Sequence, residues 1–99
     1  MIRHIVMFNA KKSGDPKNVQ DLFDGLIMLK TIKGDWTLDV IKNKKVDHRA
    51  NDIDVVVYGE FPDEKTLAYY KSHPIYRKCT SVVRPIRNQR IAVDIPFED

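Results

Sequence analysis

The segment Ile53-Asp54-Val55-Val56-Val57-Tyr58-Gly59-Glu60-Phe61 limits this chain more than any other stretch. It reads as a strand, and its Val55-Val56-Val57 run puts apolar side chains on both faces. A strand of that kind belongs in the middle of a sheet that is covered on both sides. Gly59 marks a bulge or a close approach of backbone or ligand. The opening residues 2–9 carry the same message. Ile2, His4, Val6 and Phe8 alternate with Arg3, Ile5 and Met7, so this strand too is apolar on both faces. Whatever fold the chain adopts must therefore bury both surfaces of one sheet.

The punctuation between the strands supplies the rest of the architecture. Asp15 can cap a helix that Pro16 opens. Val19, Leu22, Phe23, Leu26 and Leu29 recur at helical spacing, predicting a helix over 16–32 with Gly34 as the left-handed residue that ends it. A second strand is predicted over 35–46, with Trp36, Leu38 and Val40 on one face and Thr37, Asp39 and Ile41 on the other. A polar connection covers 47–52. Pro62 stops the Val-rich strand. Asp63 caps a helix that runs to Ser72 and turns Leu67 and Tyr70 inward. His73 precedes Pro74 and is held out of helical geometry. A further helix over 74–83 buries Cys79, Val82 and Val83 before Pro85 closes it. The last strand, 88–95, sets Ile91, Val93 and Ile95 against Ala92, and a short tail follows.

Strand, helix, strand, strand, helix, strand is the ferredoxin-like βαββαβ order. It gives an α+β domain over 1–99, an antiparallel sheet with its helices on one face. The helices leave the other sheet face open, although its side chains are apolar. A second copy of the same sheet covers it by two-fold symmetry, so the chain is expected to form a homodimeric α+β barrel with Ile5 and Met7 at the interface. The net charge of +3 is too small to argue for a nucleic-acid or membrane partner. The basic run around Lys42–Lys45 is diluted by Asp47 and Asp52 and lacks interleaved aromatics, so nucleic-acid binding is not expected. No apolar run is long enough to span a membrane. One cysteine and no leader-like start fit a cytoplasmic protein.

Chemistry concentrates around Tyr70-Lys71-Ser72-His73-Pro74-Ile75-Tyr76 and His4. If the His4 face looks toward the helices, the imidazole can reach a pocket bounded by Tyr70 and Tyr76. The competing reading is a neutral core histidine tied to a carbonyl or hydroxyl. Tyr70 and Tyr76 have the same two readings, core or site, and His73 has a plain role in shaping the helix break. His4, Tyr70, His73 and Tyr76 are the candidate ligand contacts, with His4 and Tyr70 the candidates for catalysis. The three histidines lack metal-ligand spacing, and the sequence holds no glycine-rich phosphate loop. Neither a metal nor an organic cofactor is expected. Cys79 is expected to be a buried, inert thiol.

These pieces, taken in order, resemble the stress-responsive A/B barrel (Dabb) domains. The similarity rests on Ile2-Arg3-His4-Ile5-Val6-Met7-Phe8, Ile32-Lys33-Gly34, the segment 53–61, Tyr70-Lys71-Ser72-His73-Pro74 and Val83-Arg84-Pro85-Ile86. The resemblance implies a dimeric α+β barrel. Related enzymes include a plant polyketide cyclase that works without metal or cofactor. By that resemblance, Tyr70 takes the place of the cyclase tyrosine, while Tyr76 stands where the cyclase has a second histidine. A phenol, with a reference pKa of ~10, is a poor general base at neutral pH compared with an imidazole at ~6.5. Three functions follow as expectations. The first is a homodimer that binds a small, partly apolar or aromatic molecule between sheet and helices. The second is a cofactor-independent cyclase-, lyase- or oxygenase-like enzyme acting on an aromatic or polyketide-like substrate. The third is a purely structural dimer whose sheet–helix space is filled by Phe8, Trp36, Leu67 and Tyr70.

Overall fold

A computed structural model describes residues 1–50 and 52–98; Asn51, expected in the polar connection, and Asp99, in the tail, lie outside it. Four strands, β1 (Ile2–Ala10), β2 (Thr37–Lys42), β3 (Val55–Phe61) and β4 (Arg87–Pro96), form one sheet in the order β2-β3-β1-β4. Every pairing is antiparallel. Helices α1 (Pro16–Ile27), α2 (Glu64–Ser72) and α3 (Pro74–Val83) lie on one face. This is the ferredoxin-like arrangement that the element order predicts.

Alternation decides which side chains meet the helices. Val6 and Phe8 from β1, Val40 from β2, and Val55, Val57 and Phe61 from β3 are buried against Leu22, Leu26, Leu67, Tyr70, Cys79 and Val83. Each such aliphatic side chain contributes roughly 1.5–3 kcal/mol by leaving water. On the opposite face the register aligns three rows. Ile41, Val56, Met7 and Ile91 form one; Asp39, Tyr58, Ile5 and Val93 the next; Thr37, Glu60, Arg3 and Ile95 the third. Ile41 is 48% exposed, and Ile91, Val93 and Ile95 between 41% and 44%.

The helix caps follow the sequence closely. Asp15 accepts from the Lys17 N–H and Asp63 from the Thr66 N–H. Pro16 and Pro74 each sit at the start of a helix, where a missing N–H costs nothing.

Other boundaries differ from expectation. The first helix ends at Ile27, and a tighter turn over Met28–Thr31 continues it, with Leu29 and Ile32 still buried. Gly34 does not adopt a left-handed conformation. A Cβ there would lie 1.9 Å from the Trp36 ring, so the glycine serves close packing. The second strand is shorter than 35–46, because Val46 is exposed and the chain at Lys45 turns through a positive φ of 56°. Gly59 marks no bulge; the β1–β3 register runs through it without a shift. A Cβ there would approach Phe61 at 2.7 Å and Leu38 at 2.9 Å. Val82, expected in the core, is 42% exposed.

Asp54, expected within a third strand that starts at Ile53, lies before β3 and has a different task. Its side chain is buried, and it accepts from the Ala10 N–H at 2.8 Å, the Ser13 hydroxyl at 3.0 Å and the Lys45 ammonium at 2.7 Å. One carboxylate thus ties together the end of β1, the loop after it and the segment before β3. The turn at Lys45 delivers the ammonium that neutralises it. Asp54→Ala leaves the Lys45 charge and the Ala10 N–H without their partner. It is expected to cost about 3 kcal/mol, read as a lower urea midpoint at unchanged slope.

Candidate functional site

His4 belongs to the helix-facing row of β1, between Gly59 of β3 and Asp94 of β4. The side chain is 1% exposed, packed edge-on to Phe61 at 6.0 Å and to Tyr70 at 6.2 Å between ring centroids. Its Nδ1 lies 2.5 Å from Asp94 Oδ1. A carboxylate can only accept, so Nδ1 carries the proton and Nε2 keeps its lone pair. Burial pushes the His4 pKa down. The bond to Asp94 and its negative charge oppose that shift, while the charges of Lys71 and Arg90 add to it. A neutral imidazole, oriented by a carboxylate and with Nε2 unprotonated, is the arrangement a general base or a hydrogen-bond acceptor needs.

Tyr70 comes from the inward face of α2 and is fully buried. Its phenol is pushed well above its ordinary range, first by burial and then by Tyr76 and Cys79, against a small opposing effect of Arg90. It stays a phenol at neutral pH and can act only as a donor or acceptor of a hydrogen bond. An aromatic chain runs from Trp36 to Phe61 (5.4 Å), to Tyr70 (5.0 Å) and on to Tyr76 (5.2 Å). The Tyr76 hydroxyl accepts from Arg90 at 3.4 Å.

These groups border a cavity of about 300 Å³ between the sheet and α3. His4, Tyr70 and Tyr76 line it together, as expected. Val6, Phe8, Leu26, Leu29 and Val57 give it apolar walls. Phe8, Trp36, Leu67 and Tyr70 therefore do not fill the space. No enclosed side-chain polar atom lacks a partner among the described residues, and those residues give no hydrogen bond to His4 Nε2 or to the Tyr70 hydroxyl. Both atoms are thus open to the cavity. His73 stands apart from it. Its Nδ1 accepts from the Ile75 N–H at 3.1 Å and caps α3, and its ring meets Tyr69 on the outside. Cys79 also lines the cavity; burial raises its thiol to about 11, and Sγ donates to the Gly25 carbonyl at 3.4 Å.

Two sets of residues escape the sequence reading. Asp94 is one, although its place opposite Ile91, Val93 and Ile95 in the alternation marks it as helix-facing. Arg84, Arg87 and Arg90 are the other; they are scattered over the helix end and the strand in sequence, and their meeting at the cavity depends on the turn between α3 and β4. Among the described residues no three His, Cys, Asp or Glu side chains come together as a metal-ligand set, and no helix is long and apolar enough to cross a membrane.

The family model described as Stress responsive A/B Barrel Domain matches residues 2–97. No curated protein matches significantly. Among solved structures, a dimeric ferredoxin-like protein of unknown function from Thermobifida fusca superimposes with a TM-score of 0.80 at 22% identity, over 97% of this chain and 90% of its own. A Dabb family protein from Mesorhizobium loti gives 0.77 at 20% identity, over 98% and 97%. A putative antibiotic biosynthesis monooxygenase from Nitrosomonas europaea gives 0.77 at 17% identity, over 98% of each chain. At such identities the likeness is one of fold.

The His4 pKa carries a sign that can be checked. It lies below the unfolded value of 6.5, so below that pH the unfolded chain binds the extra proton first. The His4 contribution to stability is complete above 6.5 and is lost as pH falls from there through the folded value. His4→Gln is expected to flatten that part of a stability-versus-pH curve measured by urea denaturation.

Proposed function

The chain belongs to the stress responsive A/B barrel family, and from that footing we propose that it is a homodimer whose protomers each bind a small, partly apolar or aromatic molecule between sheet and helices. The observation that carries the reading is the cavity of about 300 Å³ that reaches His4. It sits at the lower end of the range for small-molecule sites and suits a molecule of one or two rings. Tyr70 offers a hydroxyl and His4 an unprotonated Nε2 toward it, with Tyr76 beside them. His73 would act on a ligand only through the placement of α3. A lone buried cysteine supports a cytoplasmic setting.

Dimerisation is supported by the outer sheet face. Ile5, Met7, Ile41, Val56, Ile91 and Val93 make an apolar patch over two of the three rows, Ile95 extends it along β4, and relatives of the same fold are described as dimeric. Two such faces packed together remove those side chains from water. Wild-type protein is expected to sediment as a dimer at micromolar concentration. Val93→Glu, in the middle row, is expected to shift it toward monomer; a monomeric wild type would refute the assembly.

A second reading is favoured by the His4–Asp94 pair. It is cofactor-independent catalysis of the cyclase, lyase or oxygenase kind, with His4 as base and Tyr70 donating a hydrogen bond to a carbonyl that gains negative charge. Tyr76, in place of a second histidine, argues against a two-histidine cyclase mechanism. A thermal-shift panel of aromatic and polyketide-like acids separates the readings. Binding without conversion fits the first, and conversion abolished by His4→Ala fits the second. No stabilisation by any member would count against both.

A further inference from the structure

One end of the cavity is built from arginines. Arg84 follows α3, Arg87 opens β4, and Arg90 lies three residues further on, beyond a shift in the β1–β4 register; all three line the cavity. Across the β1–β4 ladder Arg87 is paired with Ala10 and Arg90 with Phe8, whereas His4 is paired with Asp94. From Phe8 to His4 is four residues, roughly 13 Å at the rise of a strand. The apolar middle formed by Val6, Phe8, Leu26, Leu29 and Val57 separates the two ends.

Among the described residues no carboxylate pairs with the three guanidinium groups. The ion pairs among the described residues are Arg3–Glu60, His4–Asp94, Lys17–Asp21, Lys30–Asp39 and Lys45–Asp54. The three arginines figure in none of them. Arg87 donates to the Asn88 carbonyl and Arg90 to the Tyr76 hydroxyl, each at a long 3.4 Å. The second basic hollow on the molecule is different. Lys11, Lys12 and Lys17 line it together with Asp15 and Asp21, and Lys17 pairs with Asp21 at 2.8 Å. Three cations at one end of an apolar cavity, with no carboxylate among the described residues beside them, favour an anionic ligand there.

We propose that the cavity selects an organic acid, a flat apolar or aromatic molecule whose carboxylate sits among Arg84, Arg87 and Arg90 and whose far end presents a hydroxyl or carbonyl to His4 and Tyr70. This deepens the ligand-binding reading above and rests on it. Arginine suits the role because its planar fork meets a carboxylate through two parallel hydrogen bonds. The polarity runs one way. At the His4 end the cavity offers a neutral imidazole and a phenol, and the carboxylate nearest to it, Asp94, is taken up by the hydrogen bond to His4. An acid at the arginine end meets cations alone. Tyr76 joins the two ends, with its hydroxyl on Arg90 and its ring against Tyr70.

The test uses probes matched in size and shape, one of each pair charged: naphthoate and hydroxynaphthoate against their primary carboxamides, titrated calorimetrically into the intact wild-type protein at low and high ionic strength. The acids are expected to bind at least about tenfold more tightly than the amides, with the gap narrowing in salt. The double variant Arg87→Gln/Arg90→Gln is expected to lose the preference while keeping its affinity for the amides. Arg49→Gln, in the exposed 48–50 turn, is expected to keep it. Equal binding of acid and amide by the wild type, or a preference that survives in the double variant, overturns the acid selectivity and leaves the ligand-binding reading standing. Failure of all four probes to bind overturns both.

Discussion

The register of β1 is the constraint on which the rest of this molecule depends. β1 is hydrogen-bonded on both sides, to β3 and to β4, so its alternation sets the alternation of three strands at once. A slip of one residue would turn His4, Val6 and Phe8 outward and bring Arg3, Ile5 and Met7 against the helices, placing a charge in the core. The register is held at both ends. Asp54 grips the Ala10 N–H at one end, and the Phe97 N–H donates to the Met1 carbonyl at 2.9 Å at the other. Within that frame His4 meets Asp94 on one side. On the other it has Gly59, whose missing side chain lets the Phe61 ring close over the same row.

The sequence makes some of this legible because alternation and capping are local. The two-faced strands, the caps at Asp15 and Asp63, the break at His73-Pro74 and the inward turn of His4 and Tyr70 all come from spacing and backbone chemistry. What escapes is whatever depends on a partner far along the chain. His4 and Asp94 are ninety residues apart and meet through strand pairing alone. Asp54 looks like an ordinary strand residue until Lys45, Ser13 and Ala10 converge on it. Gly34 invites a conformational reading, since glycine usually ends helices that way; the ring of Trp36, two residues on, imposes a steric one instead. Nor does sequence reveal whether bulky core residues leave a void, because that depends on how α3 sits against the sheet.

β4 carries two obligations at once. It is an edge strand, exposed from Asn88 to Pro96, and α3 does not cover its inner side. That gap is what opens the cavity. Its outward side chains, Ile91, Val93 and Ile95, belong to the apolar face, and its inward ones, Arg90, Ala92 and Asp94, border or support the site. A partner sheet packed on the outer face would hold β4 in place and thereby fix the carboxylate that orients His4. Such an assembly would be linked to the site through one strand, with no residue of the partner needed in the cavity.

The protonation states around the cavity then fix what kind of chemistry the site could support. Burial keeps both the imidazole and the Tyr70 phenol neutral. Asp94 orients the imidazole without passing a charge into the cavity, and the arginines hold the positive charge at the other end. His4 is the one imidazole among the lining residues, since position 76 is a tyrosine and His73 is spent on capping α3. A proton taken from a bound molecule could go to Nε2, making an imidazolium that Asp94 stabilises, and it would have to return from there. Tyr70, too weak an acid to give its proton up fully, can stabilise a developing oxyanion by hydrogen bonding. One base and one donor are enough to hold an enolisable group and to move a single proton. A mechanism that needs two separate imidazoles at once does not fit these residues.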